Sequence, residues 1–202
     1  MRRSAGGRAR ASAPSSNAFA AAAERGKALY MRDCAACHGW QDKTEYVFKG
    51  ERLGKVTPNA ELKADSGRLD SYTEAFRQRQ LNELFAGTPY QFKYFTKTSG
   101  YANMPLDGLW LRGPYMHNGS VPTLRALLDP PGKRPKAYLR GSDVIDGKNG
   151  GFVSPACDPN HPPPSGHCYD TSLKGNGNGG HSYGATLADS DKDDLLAYLL
   201  TF

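Results

Sequence analysis

The sequence predicts a mostly α, single-domain protein with long irregular loops, and three observations carry that reading. Its 202 residues suit one domain of ordinary size, long enough to bury a real core. Stretches near both ends repeat apolar residues at helical spacing. Between Gly141 and Ala185, ten glycines and five prolines fall within 45 residues, which argues loop over strand or helix. The clustering of apolar residues excludes a collagen-like or fully disordered chain. The longest apolar runs, Ala18–Ala23 and Leu195–Leu200, fall far short of the roughly 18 residues a membrane span needs. No transmembrane segment is expected.

The net charge of +6 is concentrated at one end. Through Arg32 the chain carries seven basic residues against Glu24 alone, and the remaining 170 residues balance at 19 basic and 19 acidic. A nucleic-acid binder keeps a basic face on its folded part, so that function is excluded. Residues 1–18 are rich in Arg, Ser and Ala and contain no acid. They lack the apolar core of a secretory signal peptide and share the composition of a mitochondrial transit peptide. The expected organisation is a disordered or leader segment over 1–18 and one domain over 19–202.

The first element is a helix over Ala20–Asp33, in which Gly26, Tyr30 and Cys34 lie at i, i+4 and i+8 on one stripe. A glycine in mid-helix costs about 0.5–1 kcal/mol relative to alanine, so it needs a reason such as close approach by another helix. The helix leads into Cys34-Ala35-Ala36-Cys37-His38, the C-x-x-C-H of covalent c-type haem attachment. The spacing serves the chemistry: two thiols add to the two vinyl groups of one porphyrin, and the adjacent His38 binds iron from the proximal side. The alternatives are a chance pentapeptide, a redox C-x-x-C pair or half of a zinc site.

Trp40 to Asp65 is polar and turn-rich, with no sustained period. Ser71–Ala86 reads as a helix with Ser71 and Glu74 as its capping box, Gly87 as its stop, and Phe76, Leu84 and Phe85 as core. Pro122–Leu128 reads as a shorter helix stopped at Asp129-Pro130-Pro131-Gly132. Cys157 and Cys168 bracket a proline-rich segment, and a disulfide closing so short a loop would stabilise by roughly 3 kcal/mol. The other reading is a metal site of Cys157, His161, His167 and Cys168. Last comes a helix begun by the capping box Ser190-Asp191-Lys192-Asp193, with Leu195, Tyr198, Leu199 and Phe202 at helical spacing.

Taken together, the Gly26, Tyr30, C-x-x-C-H and Asp194-Leu195-Leu196-Ala197-Tyr198-Leu199 positions resemble the class I cytochrome c fold. That resemblance implies a cytochrome c-like domain whose N- and C-terminal helices cross through Gly26, Tyr30, Leu195 and Tyr198, binding one covalent haem c on Cys34 and Cys37. The stretch Gly108 to Leu128 is similar to the C-terminal haem domain of di-haem cytochrome c peroxidases, and closer to the related di-haem rubber oxygenases. The similarity extends through Gly132-Lys133-Arg134-Pro135, Gly151-Phe152-Val153-Ser154 and Asn178 to Gly184. Candidates for the second axial ligand are Met104, Met116, His117 and His181. Met104-Pro105 has the Met-Pro look of class I distal ligands. The rubber-oxygenase resemblance implies His181 instead, with His117 a structural residue of its turn.

Those enzymes carry a second, catalytic haem in an N-terminal half, whereas this chain has one C-x-x-C-H with 33 residues before it. The expected function is therefore electron transfer by a monohaem cytochrome. It would serve as a soluble carrier or as a subunit of a larger respiratory or photosynthetic complex, with redox proteins as partners. The alternatives are a haem peroxidase or oxygenase, whole or as a fragment, and a structural subunit with a vestigial haem. Haem c together with a disulfide points to the periplasm, or else to the mitochondrial intermembrane space or another extracytoplasmic lumen.

Overall fold

Helix α1 runs Ser16–Asp33 in the computed structural model, which describes residues 16–42 and 45–202. Most of the expected leader, residues 1–15, lies outside the described residues. α1 starts before the expected Ala20, because Ser16 to Ala18 continue the same helical ladder into the alanine run. Its buried residues are Ala23, Gly26 and Tyr30, three and four apart and therefore on one face. That face meets helix α7, Asp189–Leu199, which buries Leu195, Leu196, Ala197 and Leu199. α7 starts at Asp189, one residue before the expected Ser190, and no side chain caps it. Asp189 and Asp191 instead place negative charge in the first turn, where the helix dipole favours it.

The contact between α1 and α7 is closed by three rings: Tyr30 lies 5.3 Å from Tyr198 and 5.1 Å from Phe202, measured between ring centroids. Phe202 reaches Tyr30 from beyond the end of the helix. The Tyr30 hydroxyl, fully buried, donates 2.5 Å to the Gly39 carbonyl and so ties α1 to the turn after the haem motif. Tyr30→Phe should lower the unfolding free energy by about 1 kcal/mol, the net value of one buried hydrogen bond. Denaturant titration of wild type and variant reads this directly, and equal midpoints would overturn it.

The rest of the core is Ala35, Leu109, Tyr115, Val121, Leu124 and Leu128, packed under the two terminal helices. Ala35 belongs to α2, Ala35–His38, and Leu124 to α6, Leu124–Leu127. Thr123 caps α6 by accepting from the Ala126 amide, so this helix is shorter than the expected Pro122–Leu128. Among the described residues the strands form three short antiparallel pairs. β1 (Trp40–Asp42) pairs with β2 (Glu45–Lys49), β3 (Val56–Pro58) with β4 (Gly100–Ala102), and β5 (Ala137–Arg140) with β6 (His167–Asp170). The first two fall in stretches without period-two patterning. β6 lies in the stretch that composition marked as loop, and it forms because β5 supplies its partner. The sulfurs of Cys157 and of Cys168, which lies within β6, stand at disulfide distance.

The expected helix over Ser71–Ala86 needs correction. Two helices replace it, α4 (Gly67–Ser71) and α5 (Glu74–Asn82), after α3 (Asn59–Leu62). Thr73, not Ser71, caps α5, its hydroxyl accepting from the Phe76 amide at 3.2 Å. Phe76, Leu84 and Phe85, expected in the core, are exposed at 49, 42 and 53%.

Candidate haem site

α1 delivers Cys34, and the following turn of α2 sets Cys37 and His38 on the same side of the chain. The amides of Cys37 and His38 both donate to the Cys34 carbonyl, at 3.2 and 3.0 Å, so motif and helix turn are one unit. Cys34 and Cys37 are free and half-buried. Burial, then Asp33 and Cys37, push the Cys34 thiol up to about 12, far from the activated thiolate of a redox C-x-x-C pair.

His38 Nδ1 lies 2.8 Å from the Met104 carbonyl oxygen, which can only accept, so Nδ1 carries the proton and Nε2 keeps its lone pair. Burial lowers the His38 pKa, opposed by this bond. The Met104 side chain is 58% exposed, and its residue meets His38 through the backbone oxygen.

His181 faces His38. The two ring centroids lie 6.1 Å apart. Two imidazoles bound to one transition-metal ion through nitrogens about 2 Å away have centroids about 6 Å apart, so the pair fits a single shared iron. His181 Nδ1 is buried without a hydrogen-bond partner. Burial first, then the neighbouring His38, push its pKa down to about 4, which keeps the ring in the neutral form that metals bind. Of the remaining candidates, His117 stacks on Tyr101 at 4.3 Å with its Nε2 buried without a partner, and Met116, in the same turn, has φ 69°.

The glycine-rich loop that carries His181 is fastened at several points that the sequence did not signal. The His181 amide donates to the Leu62 carbonyl at 3.0 Å. At Gly180, φ is 78° and a Cβ would stand 2.5 Å from Ala64 N and the Leu62 carbonyl, so only glycine lets the loop come this close to α3. Asn118 Nδ2 donates to the carbonyls of Gly175 and Gly177, and Asp65 Oδ2 accepts from the Gly177 amide. Tyr183 sets its ring edge-on to His181 at 5.2 Å, with its hydroxyl on Glu61, which in turn pairs with Arg52. Buried Arg134 bonds the loop from the other side.

Among the described residues no group of three or more His, Cys, Asp or Glu side chains could hold a metal ion, which leaves the zinc readings of both cysteine pairs without ligands. A groove of about 860 Å³ opens elsewhere, along α1, β1 and the C-terminal end, and its lining contains neither histidine nor cysteine.

Residues 23–109 match the family model described as cytochrome c, and residues 100–139 match the one described as RoxA-like, cytochrome c-like. Part of the chain is thus similar to cytochrome c, a family that carries haem-based electron transfer, and an adjoining stretch is similar to RoxA-like cytochrome c domains. It is 37% identical over 110 residues to the uncharacterized protein y4iJ of Sinorhizobium fredii (strain NBRC 101917 / NGR234), covering 50% of this chain and 17% of that protein. It is 30% identical over 148 residues to the uncharacterized protein y4iM of the same strain, covering 66% of this chain and 34% of that protein. The chain thus spans about a third or less of the curated relatives it matches. Among the described residues no helix is long and apolar enough to cross a membrane.

Proposed function

We propose that residues 19–202 form one monohaem electron-transfer domain, with haem c attached through Cys34 and Cys37 and with His38 and His181 as axial ligands. The observation that carries this reading is the pair of imidazoles facing each other at 6.1 Å. The bound group would supply an iron that cycles between the ferric and ferrous states. The protein's part is to keep both ring positions the same in the two states. His38 is oriented by the Met104 carbonyl, and His181 is held through its own backbone by Leu62 and Arg134. With His38 and His181 both holding the group, no position on it would remain for peroxide or dioxygen, which favours a carrier over the peroxidase or oxygenase alternative.

In this reading the terminal helices cross at Gly26, with Tyr30 and Tyr198 packed beside the haem motif. The even balance of charge after Arg32 suits docking within a larger redox complex better than long-range steering to a charged partner. The Cys157–Cys168 bond and haem c attachment both favour the periplasm.

Optical and near-infrared spectra of the purified holoprotein, ferric and ferrous, test the ligand set, and a pyridine haemochrome assay tests the attachment. The expected result is one c-type haem per chain and a low-spin ferric form without a thioether-to-iron band, unchanged in Met104→Leu. A thioether band that vanishes in Met104→Leu, or a high-spin ferric form, would overturn the reading.

A further inference from the structure

Backbone carbonyls from two distant stretches of chain converge on a single side chain. Arg134 is 3% exposed. Its Nε donates to Asp129 O at 3.1 Å, Nη1 to Asn178 O at 2.6 Å and Gly180 O at 2.8 Å, and Nη2 to Leu127 O at 3.1 Å and His181 O at 3.0 Å. A guanidinium carries five N–H donors in a fixed planar fork, so every donor is used, and all five go to main-chain oxygens. Burying a cation is expensive unless its surroundings are polar and well placed. Filling space alone would be served better by an apolar side chain.

What the fork does is fix position. Leu127 and Asp129 belong to the end of α6 and its exit, flanking the core residue Leu128. Asn178, Gly180 and His181 belong to a loop whose glycines cannot fix its own shape. Asn118 and Asp65 hold the front of that loop, at Gly175 and Gly177, and the guanidinium holds its final residues, including the carbonyl of His181 itself.

We propose that Arg134 is the positioning residue for His181, clamping the end of the glycine-rich loop to the end of α6 so that the imidazole stays opposite His38. This rests on the reading of His181 as an axial ligand. Without the fork the loop opens more often, and the iron position that His181 fills exchanges with added ligands.

The test compares wild-type, Arg134→Lys, Arg134→Met and Arg125→Met holoproteins by ferric spectrum, thermal unfolding and the rate of cyanide binding. Arg134→Met should bind cyanide about ten-fold faster or more and show some high-spin iron, with Arg134→Lys between it and wild type. Losing a cation disfavours an anion, so acceleration cannot come from charge. Arg125→Met removes the pairs to Asp129, Asp189 and Asp193 and should lower the Tm while leaving the rate within about two-fold.

Wild-type rates in both Arg134 variants, or equal acceleration in Arg125→Met, would overturn the proposal. A thioether-bound or high-spin wild type would instead overturn the His181 reading beneath it. Should neither Arg134 variant accumulate as holoprotein, nitrogen-15 arginine spectra of the wild type decide. Exchange-protected guanidinium protons support the clamp, and rapid exchange sinks it.

Discussion

Replacing Gly26 by alanine should destabilise the holoprotein by about 3 kcal/mol or more, the scale of a core overpacked against a rigid neighbour. A Cβ on Gly26 would stand 1.9 Å from Asp194 O, 2.5 Å from its carbonyl carbon and 2.9 Å from Leu195 N. All three are backbone atoms of α7, so no side chain can turn away to make room. Intrinsic helix propensity acts in the opposite direction, favouring alanine by about 1 kcal/mol, which is why the sign of the measurement is informative.

Relief requires α7 to retreat from α1 by an ångström or more. That retreat would pull Tyr198 and Phe202 away from Tyr30 and strain the Arg25 pair to Asp194, whose two contacts are both 2.6 Å. Denaturant unfolding of the holoprotein checks the effect. A loss under about 1 kcal/mol would mean that the two helices are not pressed together at Gly26.

The same glycine shows why part of this fold was legible in the sequence. Gly26, Tyr30 and Cys34 share a stripe because helical periodicity fixes which residues lie together, and a glycine there calls for a neighbour at backbone distance. The haem motif is contiguous, so its spacing alone carries its chemistry. Periodicity does not say what meets a face, however. The spacing of Phe76, Leu84 and Phe85 points to the core, yet all three are exposed. Capping patterns fail for a related reason. Ser71 and Ser190 both satisfy the sequence rule, but the chain turns at Thr73 and at Ala188 instead.

The Met104 carbonyl that meets His38 Nδ1 is a group every residue possesses, so nothing in the Met104-Pro105 motif announces that contact. Arg134 was the hardest to see. Three of its bonds reach carbonyls 44 to 47 residues away, and a main-chain oxygen leaves no trace in a sequence. His181 could be singled out among the four ligand candidates only through a family resemblance. Its place beside His38 is held in part by a bond to the Leu62 carbonyl of α3, a short helix that is not strongly patterned.

His181→Gly should turn the ferric holoprotein from low-spin to high-spin, and millimolar imidazole should turn it back. Glycine is the right replacement because φ at this position is 45°, a left-handed conformation in which alanine would add strain of its own. The imidazole makes no hydrogen bond through Nδ1, which is buried without a partner. The bonds that fasten this residue, from its amide to Leu62 and from Arg134 to its carbonyl, belong to the backbone and survive the change.

The loss is therefore confined to the ligand opposite His38 and to a void the size of one ring. Added imidazole fits that void and supplies the missing nitrogen, so rescue separates a vacated position from general unfolding. Because a methionine on the iron raises the potential relative to a second histidine, the wild type should also titrate below a His/Met cytochrome. A His181→Gly protein that stays low-spin with nothing added would mean that another side chain holds the iron. The 6.1 Å approach of the two histidines would then be a matter of packing alone.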